Sequence, residues 1–129
     1  MVSINKTSSK PYYEQLMLSI KQEILQGVLV AGDKLPSVRE LARDLMMNPN
    51  TISKAYKLLE NEQVLITVKG KGTFVKKSDS TQRDDFRIQM LKGKLKDLFI
   101  EAGHLQVTHE ELVEWIQESE EMWGMKNED

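Results

Sequence analysis

The chain has 129 residues, 40% hydrophobic and 29% charged, with two histidines and no cysteine. That length suits one compact domain plus an appendage; the composition argues against general disorder, and the missing cysteine excludes disulfides, thiolate chemistry and cysteine-ligated zinc. Ten Lys and two Arg against seven acidic residues give +5 over residues 1–77, whereas four Lys and two Arg against thirteen acidic residues give −7 over 78–129, so the net charge of −2 hides a basic half and an acidic half.

The first helix begins near Pro11, whose missing N–H costs nothing in a first turn. Tyr13, Leu16, Ile20 and Ile24 follow at steps of three and four, one helical stripe, and Gly27 suits the C-terminal cap. Residues 28–35 read as an extended segment with a turn at Gly32-Asp33. A second, short helix starts at Ser37. Ser37 and Glu40 have the spacing of a capping box, Val38, Leu41, Ala42 and Leu45 form the inner face, and the helix ends around Met46-Met47.

Asn48 and Pro49 predict the start of a third helix, as N-cap and first helical residue. With Asn50 set at 0° and 100° per residue, Lys54 and Lys57 fall within about 40° and Ser53 within about 60°. Ile52, Ala55 and Leu59 fall at about 140–200°. One side of this helix is apolar and the other carries amide, hydroxyl and ammonium groups. After Glu62 the period changes to two. Val64, Ile66 and Val68, then Lys69-Gly70-Lys71-Gly72, then Thr73-Phe74-Val75 predict a hairpin with a basic tip.

A polar boundary follows at 76–85, dividing the chain into 1–77 and 78–129. The next helix is expected from Asp85 to Ala102, with Ile88, Leu91, Leu95, Leu98 and Ala102 as its stripe. Phe86, Met90 and Phe99 widen that stripe, Gly93 lies inside it, and Gly103 caps the helix. Thr108 and Glu111 predict a capping box, with Val107 and Leu112 as a hydrophobic staple. Leu112, Val113, Ile116 and Trp123 share a face of the last helix, which ends near Gly124. The fold class is therefore mainly α with a small β-hairpin.

Two helices joined by the turn at residues 45–51 form a helix-turn-helix candidate, whose second helix enters the major groove with its N-terminal residues near base edges. Asn48, Asn50, Thr51, Ser53, Lys54 and Lys57 supply short polar groups at the start of that helix and cations along it. Lys69, Gly70 and Lys71 add a tip that approaches a phosphate or the minor groove closely.

Pro11-x-Tyr13-x-Gln15-Leu16, Gly32-Asp33-Lys34-Leu35-Pro36-Ser37-x-Arg39-Glu40-Leu41-Ala42, Asn48-Pro49-Asn50-Thr51, Ala55-Tyr56, Leu59-Glu60 and Gly70-Lys71-Gly72-Thr73-Phe74-Val75 together resemble the winged helix-turn-helix of the GntR family of bacterial transcription regulators, over residues 9–77. The resemblance implies a dimer that reads a double-stranded DNA operator. It implies that Ser37 and Arg39 at the start of the second helix, the third-helix residues just named and the hairpin tip contact DNA. Two positions depart from the family pattern: Met46 and Gln63 stand where glycine is usual. The short C-terminal part resembles that of the YtrA-like branch, which implies that its helices make the dimer; the family resemblance also implies nearby transporter genes as targets.

The residues themselves also point to a homodimer. Two amphipathic helices cannot cover both of their apolar stripes alone, and a second subunit is the simplest cover. Phe86, Met90, Leu91, Leu95, Leu98, Phe99, Leu112, Ile116 and Trp123 are the expected dimerisation residues. A small-molecule effector of unspecified identity is a further expected partner. No cofactor and no metal is expected: His104 and His109 lack the spacing of a helical pair and a third ligand. Trp115 and Trp123 suit packing, and the acidic residues from Glu110 to Glu121 a solvated face. No apolar run reaches the roughly 18 residues of a membrane-spanning helix. Residues 1–30 carry polar groups throughout, unlike a secretory signal, so a cytoplasmic protein without enzymatic activity is expected. The competing reading is a winged-helix protein-interaction module acting through its acidic C-terminal helices.

Overall fold

Local signals set most helix boundaries in the computed structural model, which describes residues 4–77 and 83–123, with Trp123 described by its backbone alone. The expected end near Gly124 and the side chain of Trp123 lie outside the described residues. The chain divides into two compact units, Met1–Ser78 and Asp79–Asp129.

In the first unit, α1 (Tyr12–Leu25) follows Pro11 and closes with Gly27 in the left-handed region at φ 79°. α2 (Val38–Leu45) has its capping box formed. The Ser37 hydroxyl oxygen accepts from the Glu40 N–H at 3.0 Å, and the Glu40 carboxylate accepts from the Ser37 N–H at 2.9 Å. α3 (Pro49–Asn61) is capped by Asn48, whose side-chain oxygen accepts from the Asn50 N–H at 2.8 Å. The strands β1 (Leu65–Val68) and β2 (Gly72–Val75) pair antiparallel, Leu65 opposite Val75 and Val68 opposite Gly72.

α3 packs against α1, α2 and β1. Leu16, Ile20, Ile52, Leu59 and Leu65 are fully buried at the centre of this unit, with Leu35, Leu41, Ala55, Tyr56 and Val75 around them. Burying one such aliphatic side chain contributes about 1.5–3 kcal/mol, so the α3 positions Ile52, Ala55, Tyr56 and Leu59 fix which side of that helix can face outward.

The two departures from the family pattern fall where a left-handed residue is required. Met46 ends α2 at φ 54°, and Gln63 follows α3 at φ 67°. A side chain costs about 1–2 kcal/mol in that conformation. Gln63 recovers part of it by accepting a hydrogen bond from the Lys76 ammonium.

In the second unit, α4 (Asp85–His104) starts at Asp84, whose carboxylate accepts from the Arg87 N–H at 3.1 Å. It runs through Gly103 rather than stopping there, and the left-handed residue that closes it is Gln106, at φ 61°. The Val107 N–H reaching the Ala102 carbonyl at 2.9 Å seals this end. Then α5 (His109–Trp123) opens with the expected capping box: Thr108 N–H to Glu111 carboxylate, 2.8 Å, and Glu111 N–H to Thr108 hydroxyl, 3.1 Å. Ala102 is the one buried hydrophobic residue among those described in this unit.

An uninterrupted α4 corrects one expectation about its stripe. Phe99 joins Leu95 and Leu98, but Phe86 and Met90 fall about 170° and 130° from the stripe's centre at 100° per residue. They form a separate exposed apolar edge, 74% and 54% accessible. An open, mainly apolar cleft of about 800 Å³ lies between α4 and α5; Leu95, Leu98, Phe99, Leu112 and Ile116 line it.

Candidate nucleic-acid interface

The core of the first unit turns the opposite side of α3 outward. Asn50, Ser53, Lys54 and Lys57 are exposed on that side, and Thr51 is half-buried at its margin. Pro49 at the first helical position fixes the helix start, so Asn50 and Ser53 stand in its first turns, the part that reaches base edges in helix-turn-helix docking.

Asn48 and Ser37 are exposed, but each has a structural task first. The Asn48 side-chain oxygen caps α3, leaving its NH₂ group as a donor. The Ser37 oxygen caps α2, leaving its hydroxyl hydrogen to donate. Arg39 is exposed in the first turn of α2. The Glu40 carboxyl next to it is held below its ordinary value, first by the Ser37 backbone N–H and then by the Ser37 hydroxyl; desolvation opposes them, and Arg43 and Lys34 add smaller lowering effects.

Lys54 is not a loose cation. Its Nζ lies 4.0 Å from the centre of the Tyr13 ring on α1. An ammonium over a ring face gains roughly 0.5–1 kcal/mol at an exposed site, so the head of this exposed side chain is held over the α1 ring. Sequence periodicity gives Tyr13 only a packing role, because the contact joins two helices far apart in the chain.

The hairpin, or wing, turns through exposed Lys69, Gly70 and Lys71. The Lys71 N–H reaches the Val68 carbonyl at 2.9 Å, and Gly70 sits at the third position of the turn with φ 80°. That conformation favours glycine. The wing is fastened to α3 as well. The Thr67 hydroxyl donates to the Glu60 carboxylate at 2.8 Å and lies 3.0 Å from the Thr73 hydroxyl across the strands. The third helix and the wing are therefore held as one surface, and the first unit carries the basic excess of the chain.

No described residues form a cluster of three or more His, Asp or Glu side chains able to hold a metal ion. His104 is the last residue of α4 and His109 the first of α5. No helix among the described residues is long and apolar enough to cross a membrane.

A family model described as bacterial regulatory proteins, gntR family, matches residues 12–75. The chain is 44% identical over its full length, and over the full length of its relative, to the HTH-type transcriptional repressor YtrA of Bacillus subtilis (strain 168). Among solved structures it is similar to a transcriptional antiterminator from Listeria monocytogenes EGD-e, with 39% identity and a TM-score of 0.89 over 95% of this chain and 92% of that one. It is also similar to the DNA-binding domain of AraR in complex with operator ORX1, with 32% identity and a TM-score of 0.52 over 58% of this chain and 94% of that one. The order of the helices and the wing, the exposed polar side of α3 and these likenesses agree: the chain belongs to the gntR family of bacterial regulatory proteins.

Proposed function

We propose that the chain is a DNA-binding transcription regulator that represses by occupying a two-fold symmetric operator as a homodimer. One observation carries the DNA-binding part. The side of α3 opposite the buried Ile52, Ala55 and Leu59 presents Asn50, Ser53, Lys54 and Lys57 beside a wing tip holding Lys69 and Lys71. In this reading α3 lies in a major groove, Asn50 and Ser53 touch base edges, and the lysines and Arg39 neutralise phosphates. The chain acts by binding rather than catalysis, in the cytoplasm where the operator is.

The dimer reading rests on the second unit. Leu95, Leu98, Phe99 and Ile116 remain 51%, 61%, 51% and 55% accessible within one protomer. Apolar surface of that extent marks an interaction face in a water-soluble protein, and a self-complementary contact of two copies covers it by symmetry. The winged unit of each copy then meets one half-site. An effector acting on the C-terminal helices would change the separation of the winged units and release one half-site.

Binding of a fluorescent mixed-sequence duplex over a range of salt concentrations tests this reading. A regulator contacting several phosphates loses affinity steeply as salt rises, with a log–log slope near −0.9 per phosphate. An interaction module working through its acidic helices gives no duplex binding at any salt concentration.

A further inference from the structure

Lys34 lies in the segment between α1 and α2, outside the helices and the wing that the reading above places on DNA. Its backbone is nevertheless joined to the wing. Lys34 forms an antiparallel bridge with Phe74. The Leu35 N–H donates to the Thr73 carbonyl at 2.8 Å, and the Val75 N–H donates to the Asp33 carbonyl at 2.8 Å. The free edge of β2 is thus occupied by residues 33–35, and the Lys34 side chain starts from that edge.

The side chain then crosses the wing. A Cβ placed on Gly72 would lie 2.8 Å from Lys34 Cε, 3.6 Å from Nζ and 3.8 Å from Cδ. The contacts are with the outer half of the stem, so the ammonium is carried over the residue that directly follows Lys71 of the wing tip. Gly72 leaves the room for it and also holds φ 125°, which a side chain rarely adopts. Lys34 is exposed. Three residues on, Ser37 caps α2, and the Lys34 charge is the smallest of the causes that act on Glu40 in the first turn of that helix. Lys34 therefore stands between the wing tip and the start of α2, with its stem laid on glycine and its charge in solvent.

We propose that Lys34 is a DNA phosphate-binding residue that joins Lys69 and Lys71 in one cationic cluster at the wing, and that Gly72 is the seat of its side chain. The proposal rests on the DNA-binding reading above and adds to it a residue from outside the helix-turn-helix and the hairpin. The ligand is a phosphodiester of the strand that borders the minor groove under the wing. An ammonium there positions the wing without reading bases.

The test uses the full chain, a fluorescent mixed-sequence duplex and a series of salt concentrations, with thermal unfolding followed in parallel. Lys34→Gln removes the charge and keeps only the inner half of the stem. The expected result is several-fold weaker binding at low salt, a slope smaller in magnitude by about 0.9 per protomer, and an unchanged Tm. Lys34→Arg should restore affinity and slope. Lys34→Met provides a second uncharged variant with a stem of its own and should repeat the loss. Uncharged variants that bind with the wild-type slope overturn the proposal while leaving the DNA-binding reading intact. A wild-type chain that shows no salt-dependent duplex binding overturns both.

Discussion

Tyr56 donates its hydroxyl to the Pro36 carbonyl at 2.7 Å, across 20 residues of sequence. The ring is buried in the core of the first unit, and the bond ties α3 to the segment that enters α2. The two helices of the helix-turn-helix are therefore held by a polar contact as well as by packing. Tyr56→Phe should cost about 1 kcal/mol, the net worth of one such bond, read as a lower denaturant midpoint with an unchanged slope.

The same residue makes stability depend on alkaline pH. Burial first, and then the Glu40 carboxylate, push the Tyr56 hydroxyl up from 10.0 to about 12. The folded chain thus holds this proton more tightly than the unfolded chain does. The stabilising contribution is complete below pH 10 and is lost as pH rises from 10 towards 12. Over that window the Tm of wild type should fall more than the Tm of Tyr56→Phe. Parallel curves would contradict the assignment.

Met46 and Gln63 share a left-handed backbone and differ in what their side chains do. Met46 is 79% exposed, whereas Gln63 bonds the Lys76 ammonium. Met46→Gly should stabilise by up to about 1 kcal/mol, the relief of strain less the added freedom of the unfolded chain. Gln63→Gly should gain less, because it also forfeits a bond between the end of α3 and the wing. Chemical unfolding of the two variants side by side checks the order.

Contacts to phosphates and to bases should separate on substitution. Lys69→Ala weakens binding to all duplexes and reduces the salt slope by about 1, whereas Asn50→Ala relaxes choice at one or two base pairs, at about 1–3 kcal/mol of discrimination. Competition between operator and mixed-sequence duplex, measured for both variants, shows which kind of contact each residue makes.

Leu98→Glu tests the C-terminal surface. Leu98 is 61% accessible in the protomer, so the substitution spares the core and places a charge on the apolar face of α4. The expected result is half the wild-type molar mass by light scattering, with the helix content retained. A wild-type mass would move the interface elsewhere, with the Phe86–Met90 edge the next place to look.

Much of this architecture is legible in short stretches of sequence because the deciding interactions are local. Ser37 with Glu40, Asn48 with Asn50, and Thr108 with Glu111 each place a helix start through bonds that span no more than three residues. The left-handed turns at Met46 and Gln63 follow from a pattern that usually supplies glycine there. Gly103 misleads because glycine also fits a helix interior; the chain turns at Gln106 instead, where the Val107 N–H can reach Ala102. Phe86 and Met90 look continuous with the α4 stripe only when spacing is not followed as rotation. The Lys34–Gly72 approach, the Lys54–Tyr13 contact and the Tyr56–Pro36 bond depend on pairing between distant segments, which spacing within one element does not signal.

Selection of bound duplexes from a random DNA pool, followed by sequencing, tests the central claim most directly. The account predicts an enriched, two-fold symmetric consensus, with half-sites separated by about one helical turn or a multiple of it. An absence of enrichment with folded protein at low salt would contradict the operator-binding reading.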